Sequence, residues 1–351
     1  MPRKARIDAC GAVHHVIVRG IERRDIFLDD TDRDNWTARL GKILLETLTP
    51  CYAWAIMSNH VHLLLRTGAV PLSTVMRRLL TGYAVSFNRR HGRHGHLFQN
   101  RYKSILCQED PYLRELVRYI HLNPLRAGVV ETIEELDHYV YCGHGVLVGR
   151  RVCKWQASGY ILRIFYSKTA EARRRYREYV REGIAKGRRP ELTGGGLIRS
   201  LGGFRAVRGP DDDAGRMASD ERILGHGDFV TTVLKENQDR LERQSLYRRW
   251  GYDFDWLVAR VAEVLEMREE AVLRPGRYAD TVAARSILCY AAHRELGIRT
   301  VALAQRLEIS QPTVSQSVQR GEQLVKIKNI RLFSEPIVIN QLTSPHVGKG
   351  G

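Results

Sequence analysis

Several features that define large protein classes are missing from this 351-residue chain. No uninterrupted apolar run is long enough to cross a membrane, and the basic N-terminus lacks the apolar segment of a secretory leader. The six cysteines, at positions 10, 51, 107, 142, 153 and 289, form neither a CxxC pair nor a regular framework. This pattern argues against a zinc ribbon and against a disulfide scaffold. We therefore expect reduced thiols, a cytoplasmic location and no membrane partner.

Acidic residues are missing from one long stretch, since none occurs between Thr47 and Gln108. The chain as a whole has 56 Lys and Arg against 39 Asp and Glu, which gives a net charge of +17. Such a balance favours a polyanionic partner. An acid-free stretch rich in arginine suits contacts with a phosphate backbone, so we expect a protein that works at DNA, associated with the nucleoid.

The acid-free stretch contains residues 51–66, CYAWAIMSNHVHLLLR. Apolar segments on either side of the turn-forming pair Ser58 and Asn59 are typical of a β-hairpin. Alternate strand residues share one face, so His60 and His62 are expected to lie side by side. Neutral imidazoles bind divalent metals, but two of them rarely hold a metal without a third ligand. The alternative interpretation is a pair of half-buried strand histidines.

A helix over residues 110–123, DPYLRELVRYIHLN, is predicted by its apolar spacing, with Asp110 as its N-cap. Tyr119 and Asn123 are spaced i to i+4 and so lie together at the rim of the apolar face. Pro124 is expected to end the helix. A tyrosine and an amide beside a histidine pair are the groups that a metal-assisted tyrosine nucleophile requires.

Tyr83 is an alternative nucleophile, because a second helix is predicted over residues 71–87 and Asn88 follows five residues after this tyrosine. A spacing of five residues turns the two side chains apart on a helix. Tyr119 and Asn123 nearly eclipse one another, so the helical geometry favours Tyr119.

Four motifs, in this order, resemble those of the single-tyrosine HUH transposases, and most closely the REP-associated tyrosine transposases: HVIVRGIERRDIF, AWAIMSNHVHLLLR, LFQNRYKS and YIHLNPLRAGVV. The resemblance spans residues 10–140. It implies that His60, His62 and Asn123 bind Mg²⁺ or Mn²⁺ and that Tyr119 attacks single-stranded DNA. Together with the order of predicted elements, it implies an α+β fold whose ferredoxin-like antiparallel sheet carries helices on one face.

Residues 88–103, NRRHGRHGHLFQNRYK, mix cationic and aromatic side chains. Backbone contacts from Arg and Lys, with bases stacked on aromatic rings, suit single-stranded nucleic acid. The residues predicted to bind DNA here are Arg89, Arg90, Arg93, Arg101 and Lys103. The three histidines of this segment have no carboxylate or thiol beside them, so we do not expect a metal there.

Residues 303–318, LAQRLEISQPTVSQSV, predict a helix-turn-helix in which Ser310 or Gln311 caps a helix that starts at Pro312. Glu308 stands in the turn where glycine is common. The face predicted to contact bases and phosphates consists of Gln311, Thr313, Ser315, Gln316 and Arg320. The segment from DFDWLVARVAEVLEM to QRGEQL also resembles the duplex-binding C-terminal domain of the replication initiator DnaA. The charged base-reading residues of that family are replaced here by serine, glutamine and proline.

The predicted organisation has four parts. They are a catalytic domain (1–150), a basic helical and linker region (151–250) with glycine-rich linkers at 194–196, 202–203 and 210–215, a helix-turn-helix domain (251–325), and a loosely ordered tail (326–351). The predicted function is transposase-type cleavage and rejoining of single-stranded or hairpin DNA through a phosphotyrosine intermediate, with duplex targeting by the C-terminal domain. The alternative is a DNA-binding regulator that no longer cleaves. Monomer and homodimer are both compatible with the sequence.

Overall fold

The computed structural model describes residues 7, 11–68, 70–187, 192, 220, 222–225, 227–274, 276 and 278–333. The chain divides into two compact units, residues 1–243 and 244–351. The predicted glycine-rich linkers and the part of the predicted tail beyond residue 333 lie outside the described residues. Among the described residues, no helix is long and apolar enough to cross a membrane.

The first unit is built on a sheet. Its described strands are Val13–Arg19 (β1), Cys51–Ile56 (β2), His60–Arg66 (β3), Lys103–Cys107 (β4) and Ile223–Leu224 (β5). Its described helices are Asp30–Thr47 (α1), Leu72–Arg90 (α2), Glu109–His121 (α3), Asn123–Arg126 (α4), Ile133–His138 (α5), His144–Leu147 (α6), Ser158–Phe165 (α7) and Thr169–Glu182 (α8). A further helix, Gly227–Arg249 (α9), crosses the boundary between the units.

The strands are arranged in the order β2-β3-β1-β4-β5. β1 pairs antiparallel with β3 and with β4, and β2 pairs antiparallel with β3. The chain order β1-α1-β2-β3-α2-β4 in this arrangement is the ferredoxin-like topology, which confirms the predicted α+β class. The sheet is not purely antiparallel as expected, because the short β5 adds a parallel pairing at the edge beside β4.

Helices cover both faces of the sheet, which corrects the expectation of one covered face. α1 and α2 pack on the face that carries Trp54, Val61 and Leu63, as the ferredoxin-like topology requires. The opposite face, with Ala55 and Leu64, is covered by α3, α7 and α8. β2 is buried at every position, and a strand that is apolar throughout needs cover on both sides.

The helix that carries Tyr119 differs from its prediction at both ends. α3 begins at Glu109, one residue before the predicted N-cap Asp110, and no side chain caps its first turn. Pro124 does not simply end the helix, because it lies in the first turn of the short α4. This position suits proline, which lacks the amide hydrogen that a first-turn residue cannot use.

The second unit is helical in its described residues. After α9 its helices are Phe254–Val264 (α10), Glu269–Leu273 (α11), Ala279–Arg294 (α12), Thr300–Arg306 (α13) and Gln311–Ile327 (α14). Ser310, one of the two predicted caps, accepts a hydrogen bond from the amide of Thr313, and α14 begins at Gln311, one residue before the predicted start at Pro312. Glu308, in the turn between α13 and α14, has a φ of 52°, the left-handed backbone that usually favours glycine. The two predicted helices are present, and their role in DNA binding stays a prediction.

Candidate active site

The two histidines of the hairpin lie side by side at the start of β3. Their ring centroids are 5.2 Å apart, with the rings nearly perpendicular. On the neighbouring strand β1, His60 faces Arg19 and His62 faces Ile17. His62 is buried, whereas His60, the first residue of β3, is half-buried. The shared strand face expected from the sequence therefore exists.

Tyr119 reaches this pair from a different element. Leu116 and Ile120 of α3 are buried in the core on the histidine-bearing face of the sheet. This packing brings the half-buried ring of Tyr119 edge-on to His62, with 5.7 Å between the ring centroids. The guanidinium of Arg126 lies over the same tyrosine ring, 5.6 Å from its centroid. The structure thus joins a helix tyrosine to the histidine pair.

The amide of Asn123 is oriented by the end of α3. Its nitrogen donates to the backbone carbonyl of Tyr119 over 2.9 Å. A carbonyl only accepts hydrogen bonds, so the atom of the Asn123 side chain that faces the helix must be its nitrogen. The amide oxygen is then the atom that could bind a metal.

His60 is held by a side chain from the hairpin turn. Its Nδ1 lies 2.6 Å from the side-chain oxygen of Asn59. The orientation of this amide is fixed, because its nitrogen donates to the carbonyl of Arg23 over 3.1 Å. An amide oxygen only accepts, so His60 carries its hydrogen on Nδ1 and keeps a lone pair on Nε2. That is the tautomer required of a metal ligand that binds through Nε2.

Burial favours the neutral form of both hairpin imidazoles. Desolvation, assisted by the charge of Arg19, lowers the pKa of His60 to about 4. Desolvation is also the main reason that the pKa of His62 lies well below its ordinary value, and His15, His60 and Arg19 lower it further. Neutral imidazoles can coordinate a metal without first losing a proton.

These residues fit a hard divalent cation better than a closed structural site. Among the described residues, no group of three or more His, Cys, Asp or Glu side chains could hold a metal ion. Two imidazoles and one amide oxygen would leave coordination positions for water and phosphate oxygens. The donor set is therefore compatible with the predicted Mg²⁺ or Mn²⁺.

A third histidine of this site was not found from the sequence. The rings of His15 on β1 and His62 are stacked, with centroids 5.1 Å apart. The His15 ring also meets Tyr119 edge-on at 5.9 Å. A signal existed in VHHVIV, because one of two adjacent strand histidines must point to the same face as the hairpin pair. Which one does so depends on the pairing of β1 with β3.

The cationic residues of segment 88–103 that are predicted to bind DNA divide into two groups. Arg90 forms ion pairs with Asp29 and Asp32, so it fixes the end of α2 to the start of α1. Arg93 lies over the ring of Phe87. The other predicted residues, Arg89, Arg101 and Lys103, are exposed. The structure therefore gives Arg90 an internal partner that the sequence did not reveal, because Asp29 and Asp32 lie about sixty residues earlier in the chain.

The predicted DNA-reading face of α14 needs one correction. Thr313, Gln316 and Arg320 are exposed. Ser315 is fully buried and its hydroxyl donates to the carbonyl of Gln311, so it cannot contact a base from this position. The helical period places Ser315 on the side of Val314 and Val318, which packs inward. The side chain of Gln311 is half-buried and donates to the hydroxyl of Thr300.

A transposase family model matches the part of the chain that carries the candidate site. Residues 10–123 match the family model described as "Transposase IS200 like". A solved structure of a REP-associated tyrosine transposase bound to a REP hairpin is 18% identical to the chain, with a TM-score of 0.35. That match covers 43% of this chain and 87% of the other. No curated protein matches the chain significantly.

The family match includes every residue of the candidate active site on β1, the hairpin and α3. Its last residue is Asn123, and it also contains His60, His62 and Tyr119. In this segment the chain is similar to IS200-like transposases, which confirms the resemblance predicted from the motifs. The match supports DNA transposition as the class of function.

Proposed function

We propose that the protein cleaves and rejoins single-stranded or hairpin DNA through a covalent bond to Tyr119. The observation that carries this proposal is the position of the Tyr119 ring, edge-on to one of two adjacent neutral imidazoles. A phenol beside potential metal ligands can act as a nucleophile towards a phosphodiester. The family match over the same residues supports the same chemistry.

The proposed step conserves the energy of the phosphodiester. The Oη of Tyr119 attacks the phosphorus, a bond from Oη to phosphorus forms, and the bond from phosphorus to the 3′ oxygen breaks. The phenol proton is lost to solvent and the leaving 3′ oxygen gains a proton. The products are a 5′-phosphotyrosine and a free 3′-hydroxyl, and attack by a 3′-hydroxyl reverses the step and rejoins the strand.

His60 and His62, each through Nε2, and the side-chain oxygen of Asn123 would hold the divalent metal. When bound, Mg²⁺ or Mn²⁺ would polarise the scissile phosphate and stabilise charge on its oxygens. The protein's own contribution is to present neutral imidazoles and to hold Tyr119 beside them. The exposed Arg89, Arg101 and Lys103 would contact the DNA backbone.

A cleavage assay on hairpin oligonucleotides with single-stranded flanks tests this proposal. The intact chain with Mn²⁺ should give a protein–DNA adduct on a denaturing gel, and His60→Ala should give none. Arg89→Ala, away from the hairpin, should reduce DNA affinity but leave the adduct. Equal cleavage with and without chelator would contradict the metal requirement. Binding without any cleavage would favour the regulator alternative.

The second unit is proposed to target duplex DNA through α14. The rings of Tyr247 and Phe333, which lie outside the predicted limits 251 and 325, stack with 4.6 Å between their centroids, so a longer fragment is proposed for the test. A fragment of residues 244–333 should therefore fold alone, as measured by circular dichroism. It should bind duplex DNA with an affinity that falls steeply with salt. Absence of binding even at low salt would contradict the targeting role.

A further inference from the structure

His15 forms two hydrogen bonds, one through each ring nitrogen. Its Nδ1 lies 3.0 Å from the backbone carbonyl of Leu192, and its Nε2 lies 2.8 Å from Nδ1 of His62. The His15 side chain is completely buried. The ring therefore connects a main-chain carbonyl to one of the two hairpin histidines.

The carbonyl of Leu192 determines where the hydrogens lie in this pair of hydrogen bonds. A carbonyl oxygen only accepts, so Nδ1 of His15 must carry a hydrogen. The ring is completely buried and bonds to a carbonyl and to a second imidazole, not to a carboxylate, so it is neutral and its Nε2 has a lone pair. The bond to His62 then requires the hydrogen on Nδ1 of His62. The lone pair of His62 remains on Nε2.

We infer that His15 is a positioning residue that holds His62 in the tautomer whose Nε2 can bind a divalent metal. This inference rests on the proposed function, because it takes His62 to be a ligand. In this role His15 does not touch the metal, since both of its nitrogens are already bonded. His60 is oriented in the same manner by Asn59 and the carbonyl of Arg23. Each hairpin histidine is thus linked through one side chain to a fixed main-chain oxygen.

The chain provides a matched control in the adjacent histidine. His14 is as buried as His15, but it points to the opposite face of the sheet, where its Nδ1 bonds to the hydroxyl of Ser104. Replacement of either histidine removes a buried imidazole and one or two hydrogen bonds. Both substitutions should therefore lower the stability of the fold, but only substitution of His15 should change the tautomer of His62.

The first measurement is Mn²⁺ affinity of the full-length chain, followed by the electron paramagnetic resonance signal of free Mn²⁺. His15→Leu should raise the dissociation constant roughly 10- to 100-fold, the usual effect of removing a partner that orients a metal ligand. His15→Gln places an amide oxygen where Nε2 was and should restore most of the affinity. His14→Leu should bind Mn²⁺ as the unmodified chain does. Unchanged affinity in His15→Leu, with affinity lost in His60→Ala, would overturn the inference and leave the proposed function intact.

The second measurement reads the tautomer directly and needs no metal. In the full-length chain with ¹⁵N-labelled histidine and chelator present, long-range proton–nitrogen correlation should show His62 protonated on Nδ1. His60→Ala, His62→Ala and His15→Gln spectra assign the signals. A hydrogen on Nε2 of His62 would overturn the inference, whatever the metal affinity is. If the unmodified chain binds no Mn²⁺, the proposed function fails, and this spectrum alone decides the tautomer.

Discussion

The two faces of the central sheet each pack a helix that carries a tyrosine, but the two tyrosines have different surroundings. Tyr83 of α2 lies in an aromatic core with Phe27 and Trp36, with ring centroids 5.4 and 4.9 Å away. Its hydroxyl donates to the carbonyl of Ile26. Burial is the main reason that its pKa is raised. Tyr119 of α3, on the other face, meets imidazole rings.

The difference arises in the strands. Alternation along β3 places Val61 and Leu63 on the face of α2, whereas His60 and His62 point to the face of α3. Tyr119 therefore lies against imidazole side chains, whereas Tyr83 belongs to the apolar cluster of Val61 and Leu63. The face of the sheet, more than the helix sequence, therefore separates the two candidates.

The largest expected effect is on the covalent adduct. Tyr119→Phe removes one oxygen and almost no packing, so the fold and DNA binding should survive while the adduct with 5′-labelled hairpin DNA disappears. Tyr83→Phe should keep the adduct, although the lost hydrogen bond should lower the free energy of unfolding by about 1–2 kcal/mol. Both results are measured on denaturing gels and by denaturant unfolding.

Other results with these two variants would contradict the assignment of Tyr119 as the nucleophile. If the adduct persists in Tyr119→Phe and vanishes in Tyr83→Phe, the nucleophile lies on α2. If it persists in both variants, neither tyrosine is the nucleophile, and water activated at the histidine pair becomes the better mechanism.

A smaller effect is expected at the amide that follows each tyrosine. Asn123→Ala should weaken cleavage and raise the Mn²⁺ concentration for half-maximal activity on the order of tenfold, because excess metal compensates for a lost ligand by mass action. Asn88→Ala is the matched control on α2, where the amide nitrogen donates to the carbonyl of Gly95. It should leave the Mn²⁺ dependence unchanged. An equal response in both variants would remove Asn123 from the proposed ligand set.

Local patterns were sufficient to predict the hairpin and the shared face of its histidines. Strand alternation and turn residues are properties of adjacent positions, so His60 and His62 could be paired from the sequence. The spacing of Tyr119 and Asn123 was predicted in the same way. The position of Tyr119 beside the hairpin was implied by the family resemblance, because periodicity does not specify which face of a sheet a helix covers.

Contacts between distant parts of the chain could not be predicted in this way. The hydrogen bond from His15 to Leu192 joins residues 177 positions apart. The choice between His14 and His15 depends on the register of β1 against β3, and a shift of one residue would exchange them. Ser315 was assigned to an exposed face because its residue type suits DNA contacts, whereas the packing of α14 buries it. Residue chemistry alone does not reveal which side of a helix is covered.

The smallest effect on cleavage is expected from pH, which acts on the stability of the fold through histidines of both faces. Burial lowers the pKa of His14, on the α2 face, and of His15 and His60, on the α3 face, to about 4 from an ordinary value of 6.5. Between these pH values the unfolded chain binds more protons than the folded chain, so the free energy of unfolding should fall as pH decreases from about 6.5 to about 4.

Each pKa unit is worth about 1.4 kcal/mol per buried group, so urea unfolding at several pH values can resolve the contribution of a single histidine. His14→Leu removes one titrating group of the α2 face and should reduce the slope of stability against pH in this window. It should leave Mn²⁺ affinity unchanged, since His14 points away from the hairpin pair towards Ser104. Bound Mn²⁺ should stabilise the folded chain at neutral pH, and this gain should shrink only as the pH approaches about 4, where protons begin to compete with the metal for the imidazole of His60. If the free energy of unfolding does not change between pH 6.5 and pH 4, these histidines have the same pKa in the folded and unfolded chain. That result would contradict the prediction that burial lowers their pKa.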